Sequence, residues 1–312
     1  MNPKLFTKPL NICLLALFCC LLWGSATPAI KIGYRLFGIA SSDTMSIILF
    51  AGIRFTLAGI LTVVFGSLLS HGPLVPKKSS WGMVVILALF QTIIQYVFFY
   101  IGLANTAGAK GAIISGMSCF FAILISALLF RMEKITLLKL LGCVLGFAGI
   151  IVLNLTDSFE FSFTLKGDGA LILSTVSYAL SSVCMKRFSD RENPVCLSGW
   201  QFILGGLVMV AIALASGGKL SPERGSAWIL MLYLGLLSAA AYTIWGLLLK
   251  YNPVSRITAF SFAVPVFGVI LSIIFLDETI SPVQYITALV LVCTGITLVN
   301  QTKGIAKGDT NK

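Results

Sequence analysis

Charge is scarce in this chain. Asp, Glu, Lys and Arg make up 11% of its 312 residues, where a soluble domain carries about a quarter. With 58% hydrophobic residues and a mean hydropathy of +0.99, that shortage excludes a soluble domain of any size. Acids are scarcer than bases, 11 against 22, and no Asp or Glu falls deep inside an apolar run. Proton-coupled carriers usually embed a titratable carboxylate or histidine, and the single histidine, His71, belongs to a loop. No proton relay is visible, which favours facilitated diffusion or exchange. Coupling through an acid at a loop edge stays open. The same shortage argues against a membrane-embedded enzyme, because neither a Ser–His arrangement nor a metal site can be assembled. Eight cysteines show no metal-ligand spacing, and all but Cys196 sit in apolar runs. They read as small buried hydrophobes, so no disulfide framework, metal or cofactor is expected.

What is present is long apolar runs. A spanning helix needs roughly 20 mostly apolar residues. Ten runs qualify: about 10–31, 45–69, 81–101, 107–130, 136–155, 167–186, 196–216, 227–249, 255–276 and 281–300. Their hydrophobicity is continuous, not alternating, so helices are expected and barrel strands are not. The first run follows Lys4 and Lys8 like a signal peptide, but it continues through Ala29-Ile30, long enough to span. Fifteen of the 22 lysines and arginines fall on the N-terminal side, six on the other, and Arg54 within a span. Positive residues mark the cytoplasmic face. A multi-pass cell-membrane protein with both termini cytoplasmic is therefore expected. The net charge of +11 is a topology signal, not a nucleic-acid signal. The expected partners are the lipid bilayer and a small-molecule substrate.

The chain also repeats itself. Lys110 to Glu133 covers the same 23 positions as Ser255 to Glu278, and Ile135-Thr136 is echoed by Ile280-Ser281. Gly149 and Gly295 precede Asn154 and Asn300 by five residues each. Trp81 and Trp228 open third spans 147 residues apart, and Arg54-Phe55 with Gly59 matches Gln201-Phe202 with Gly206 at the same offset. Trp23 to Lys31 and Tyr178 to Lys186 share a spacing of eight. A duplicated five-helix unit is implied, 1–157 and 158–312. Five is odd, so the second copy enters the membrane from the opposite face. The fold class is all-α integral membrane: ten transmembrane helices as two inverted five-helix repeats. Such repeats support a carrier whose site lies between the halves. A channel would show a ring of repeated charge or carbonyl-lining glycines, and neither is present. A non-transporting scaffold remains the other alternative.

Trp23-Gly24-Ser25, Arg54-Phe55, Glu133-Lys134-Ile135-Thr136, Pro265 and Asp277-Glu278-Thr279 together resemble the EamA-type drug/metabolite transporter superfamily. The resemblance covers nearly the whole chain. It implies a ten-helix carrier of small organic metabolites, often amino acids or related compounds, in a bacterial inner membrane, with export the expected direction. One departure is Phe120, which stands where the first half would match Pro265.

Candidate cargo contacts come from polar and aromatic residues within the spans. Arg54 is the single charge well inside one. A cation there is costly and faces a cavity or a partner. It is either an anchor for a substrate carboxylate or a structural arginine that bonds helix-end carbonyls or snorkels. Gln91, Gln95 and Tyr96 in the third span, and Tyr242 and Trp245 in the eighth, are expected to line a wet cavity. The alternative is interhelical hydrogen bonding. Trp23 and Tyr178 hold corresponding places in spans one and six, with Ser174, Ser177 and Ser181 along one face beside Tyr178. Pro265 removes a helix hydrogen bond and is a candidate gating hinge or a static kink. The span-end acids Glu133, Asp277 and Glu278 are expected to close salt bridges or cap helices.

Overall fold

The computed structural model describes residues 3–106, 108–154, 163–222, 224–276 and 281–301. The acidic break at Asp277-Glu278, the 157/158 boundary, and Lys303, Lys307 and Lys312 lie outside the described residues. Ten helices are long and apolar enough to cross a membrane. They are α1 Pro9–Leu36, α2 Thr44–Leu69, α3 Lys78–Ala104, α4 Lys110–Leu129, α5 Leu137–Asn154, α6 Leu165–Phe188, α7 Pro194–Ala215, α8 Ser226–Tyr251, α9 Val254–Phe275 and α10 Pro282–Gln301. No strand occurs among the described residues.

Local chemistry sets several ends. Asp43 starts α2 by accepting from the Ser46 N–H at 3.1 Å and its hydroxyl at 2.6 Å, which satisfies a free end of the helix. Asn193 caps α7, and Pro194 fills a first position that has no use for an N–H. α1 runs past its expected end at 31. Lys31 and Arg35 lie on its exposed side while Gly33 is buried, so two charges do not interrupt it. It stops at Gly38, whose φ of +62° suits a residue without Cβ.

The helices pack in a reciprocal pattern. α2 crosses α7 and α5 crosses α10; α1 packs on α8 and α9, and α6 packs on α3 and α4. Both crossings are built from glycine. A Cβ on Gly59 would stand 2.6 Å from the Gly199 carbonyl oxygen, and one on Gly295 would stand 2.5 Å from that of Gly142. Small residues permit this approach, and in lipid such packing takes the place of the hydrophobic drive. The Gly142 and Gly146 pair therefore serves contacts within the chain, Gly142 against α10 and Gly146 against Phe262 of α9. Gly59→Leu is expected to force α2 and α7 apart, at roughly 1–3 kcal/mol or more for overpacking. Monodisperse yield and detergent melting temperature would both fall.

Four helices are irregular; α6 opens with a π-helical turn at Leu165–Gly169, and α4 ends in one at Ile125–Leu129. α3 contains a π-helical stretch at Ala88–Ile94. α9 tightens to a 3-10 turn at Ala259–Phe262, just before Pro265, which has no N–H to return to Ser261. α4 breaks at Met117, between Gly108–Gly116 and Ser118–Leu124. Met117 and Phe262 correspond in the duplication, so the first half bends without a proline. Gly116 stands at that break, where Ile150 approaches so closely that a Cβ would lie 2.5 Å from it.

Candidate functional site

Four helices bring the aromatic candidates together. The Trp23 ring of α1 lies edge-on to Tyr242 at 5.2 Å and to Trp245 at 4.9 Å, both on α8. Tyr242 bonds the Tyr96 hydroxyl of α3 at 2.7 Å. Phe55 of α2 lies 4.3 Å from Tyr96 and stacks on Phe202 of α7 at 5.2 Å, and Phe202 meets Tyr242 at 4.8 Å. Edge-on and offset geometries are the favourable ones for such rings. Tyr178 of α6 lies within electrostatic reach of Tyr96 and Tyr242.

Arg54 sits at the edge of this cluster, about 15 Å from the start of α2. It is 3% exposed, so it does not snorkel. Nor does it bond helix-end carbonyls among the described residues. Nε and one terminal nitrogen donate to the Ser238 hydroxyl of α8 at 3.1 and 2.9 Å, and the guanidinium lies 5.0 Å from the Phe55 ring centre. Arg54 has no carboxylate partner among the described residues; the ion pairs Lys110–Asp168 and Lys139–Glu133 stand at span ends. A desolvated cation held by one hydroxyl and one aromatic face keeps a strong unmet attraction for an anion.

Other polar atoms here also lack protein partners. The indole N–H groups of Trp23 and Trp245 and the side-chain oxygens of Gln91 and Gln95 are buried with none among the described residues. Buried polar groups normally find partners, so four exceptions on three neighbouring helices call for a cause. Gln95 also bonds Tyr242 through its side chain. Gln91, four residues before Gln95, is buried in the π-helical stretch of α3. Its neighbour Thr92 bonds Gln201 at 2.7 Å, tying the π-helical stretch to α7. Pro265 is on α9, which packs on α1 where Gly24 meets Phe267 and Gly268. The serines near Tyr178 serve packing: Ser174 and Ser177 donate to the Gln95 and Phe90 carbonyls at 2.6 and 2.8 Å, and Ser181 bonds its own helix.

Sequence reasoning missed Phe55 and Phe202 as ring partners, and also Tyr34 and Tyr100, whose hydroxyls pair within electrostatic reach of Arg54. The signal for Phe55 and Phe202 lay in the duplication itself, which set them at matching positions. The pairing of Ser238 with Arg54 joins positions 184 residues apart and has no local signature.

At the N-terminal face the two halves are joined. Glu133 accepts from the Ser255 hydroxyl and from the Ser255 N–H at 3.1 Å, while Lys139 donates to it at 2.8 Å. Deeper, Cys119 of α4 meets Thr258 of α9 at 3.8 Å. Burial pushes the Glu133 carboxyl up, but the Lys139 and Ser255 bonds together hold it below the ordinary glutamate value. A lowered folded-state value means the stabilisation is complete above the unfolded value, about 4.3, and is lost as pH falls through the folded one. Melting temperature is thus expected to hold from neutrality to that point and drop below it, with Glu133→Gln blunting the drop.

Comparison with known proteins places this arrangement. The fold and its apolar spans define a multi-pass membrane protein with a polar and aromatic core. Residues 10–155 and again 165–301 match the EamA-like transporter family, and the chain belongs to it. An uncharacterised transporter of Synechocystis is 28% identical over 300 residues, covering 90% of this chain and 87% of its own. A protein of Escherichia coli named "Probable amino-acid metabolite efflux pump" is 25% identical, over 90% and 92%. A WAT1-related chloroplastic protein of Arabidopsis is 26% identical over 81% of this chain, which spans 63% of that longer protein. One crystal structure shares the fold with a TM-score of 0.76 at 20% identity, over 93% of this chain and 96% of its own.

Proposed function

We propose that this transporter is a secondary carrier for a small, partly apolar organic metabolite bearing a carboxylate, an amino acid or a close relative. It works by alternating access between two inverted five-helix repeats. The observation that carries the reading is Arg54, a buried cation with no counter-ion among the described residues, beside an aromatic wall. In this reading the cargo carboxylate takes Arg54, its apolar part lies against Trp23, Tyr96 and Tyr242, and the unpaired indole N–H and Gln oxygens meet its remaining polar groups. Export from a bacterial inner membrane, with both termini cytoplasmic, fits the charge bias. The name of the Escherichia coli relative points the same way.

Several features support the inverted repeat, with halves 1–157 and 158–312. Helix pairing is reciprocal under exchange of the halves. Cys19 of α1 donates to the Ala241 carbonyl of α8 at 3.5 Å, and its counterpart Ser174 of α6 donates to Gln95 of α3. The family match itself falls in two pieces of similar length. The outer part of α4, Gly108–Gly116, packs on α5 and α6, while the outer part of α9, Ala263–Leu276, packs on α1 and α10. With the Glu133–Ser255 contact made at the N-terminal face, this supports a conformation in which α4 and α9 are closed against each other there, while at the opposite face the halves are held by Lys110–Asp168, Ser46–Lys219 and Gln284–Val152.

Trp23 and Trp245 report occupancy directly. Free amino acids with apolar side chains are expected to quench the intrinsic fluorescence saturably, and their methyl esters to require at least about tenfold higher concentration. Equal binding of acid and ester would overturn the carboxylate anchor.

A further inference from the structure

A cavity of about 760 Å³ lies away from the aromatic cluster and contains none of its residues. It is a side groove between α2 and α8 that opens toward the N-terminal face. Its walls are apolar: Leu61, Phe65 and Leu69 on α2, and Leu236, Ala240 and Leu247 on α8. Phe65, Leu69 and Leu236 are 50%, 80% and 41% exposed, so the groove is open along its side, where lipid would lie. Gly66 and Ala239 form part of its lining, and their small size gives it depth. From Leu236 to Leu247 the wall runs about 16 Å along α8, close to half of a hydrocarbon core of about 30 Å. One leaflet's acyl chain has that reach.

The mouth of the groove is polar and basic. Lys77, Arg191 and Lys250 ring it together with Asp190 and Glu192. Glu192 is already engaged, accepting from the backbone N–H groups of Lys77 at 3.0 Å and Asn193 at 2.9 Å. The Lys77 ammonium reaches the Arg191 carbonyl at 3.4 Å, and Lys250 lies 5.7 Å from the Tyr251 ring centre. None of the three cations has a carboxylate within ion-pairing distance among the described residues. Basic pockets between membrane helices at the cytoplasmic level suit anionic headgroups.

From this geometry we propose that the α2–α8 groove is a binding site for one anionic glycerophospholipid of the leaflet at the N-terminal face. The acyl chain would lie along Phe65 and Ala240, and the headgroup phosphate against Lys77, Arg191 and Lys250. The site is separate from the cargo path, so it stands whether or not the carboxylate reading does.

Native mass spectrometry of the detergent-purified protein tests it, with dioleoyl-phosphatidylglycerol and dioleoyl-phosphatidylcholine as probes. The wild type is expected to retain one phosphatidylglycerol about tenfold more tightly than phosphatidylcholine. The triple variant Lys77→Gln, Arg191→Gln, Lys250→Gln, whose changes are all at the polar mouth, should lose that preference. Ala240→Trp fills the groove from its lipid side and should reduce retention of both. Equal retention of the two lipids by the wild type, or an unchanged preference in the triple variant, would overturn the site. So would a wild-type dimer that Ala240→Trp dissociates, which would make a second copy the occupant.

Discussion

Arg54→Ala is expected to lower transport efficiency about 100-fold or more while membrane abundance stays at the wild-type level. Two arguments set the size and the split. A hydrogen bond to a charged group contributes about 1.5–3 kcal/mol, and each 1.4 kcal/mol is tenfold in affinity. Loss of the forked contact therefore removes one to two decades before the loss of the charge itself is considered. Stability responds differently. Arg54 is held by Ser238 and the Phe55 face with no anion beside it among the described residues. Its removal also removes the cost of keeping a cation out of water, and leaves a neutral hydroxyl that can turn to a nearby carbonyl. Arg54→Lys keeps the charge but loses the planar fork, so an intermediate loss of about tenfold is expected. Transport assayed beside quantified membrane protein separates these outcomes. A fall in abundance that tracks the fall in transport would return Arg54 to a structural role.

The second large effect is an arrest that can be reversed. Cys119 and Thr258 lie 3.8 Å apart, on α4 and α9, where the halves meet near the N-terminal face. Thr258→Cys sets two thiols across that meeting point. Cys143 stands 3.6 Å from Cys119 and would compete for it, so the change belongs in a Cys143→Ala background. If α4 and α9 must separate for the cavity to face the N-terminal side, oxidation to a disulfide abolishes exchange and a thiol reductant restores it. Measured exchange is expected to fall by more than tenfold on oxidation and to recover on reduction. The Cys143→Ala parent, with Thr258 intact, should be insensitive to both. A crosslinked variant that still exchanges at the parental rate would show that this contact does not open during transport.

How much of this was readable from residues alone depends on what sets each feature. Ten spans were legible because continuous hydrophobicity of that length has one reading in a bilayer, and α10 came within one residue of its expected limits. The end of α1 was misplaced because the pattern treats Lys31 and Arg35 as loop, while a helix tolerates both on its exposed side. The π-helical stretch of α3 gave no warning, since Ala88–Ile94 holds neither proline nor glycine. Pro265 did mark the neighbourhood of an irregular turn, yet α4 breaks at Met117 without one. Arg54 was visible as a lone charge. Its partner Ser238, the ring pair Phe55–Phe202 and the hydroxyl pair Tyr34–Tyr100 depend on which helices adjoin in three dimensions, and no spacing within one helix encodes that.

The whole account rests on a saturable site that faces each side in turn. Counterflow in proteoliposomes tests it most directly, with unlabelled amino acid loaded inside, labelled amino acid outside, and the assay run with and without a pH gradient. The account predicts transient accumulation of label above equilibrium that saturates with concentration, persists without a gradient, and disappears in Arg54→Ala. Label that only equilibrates, in proportion to concentration and equally in wild type and Arg54→Ala, would contradict it.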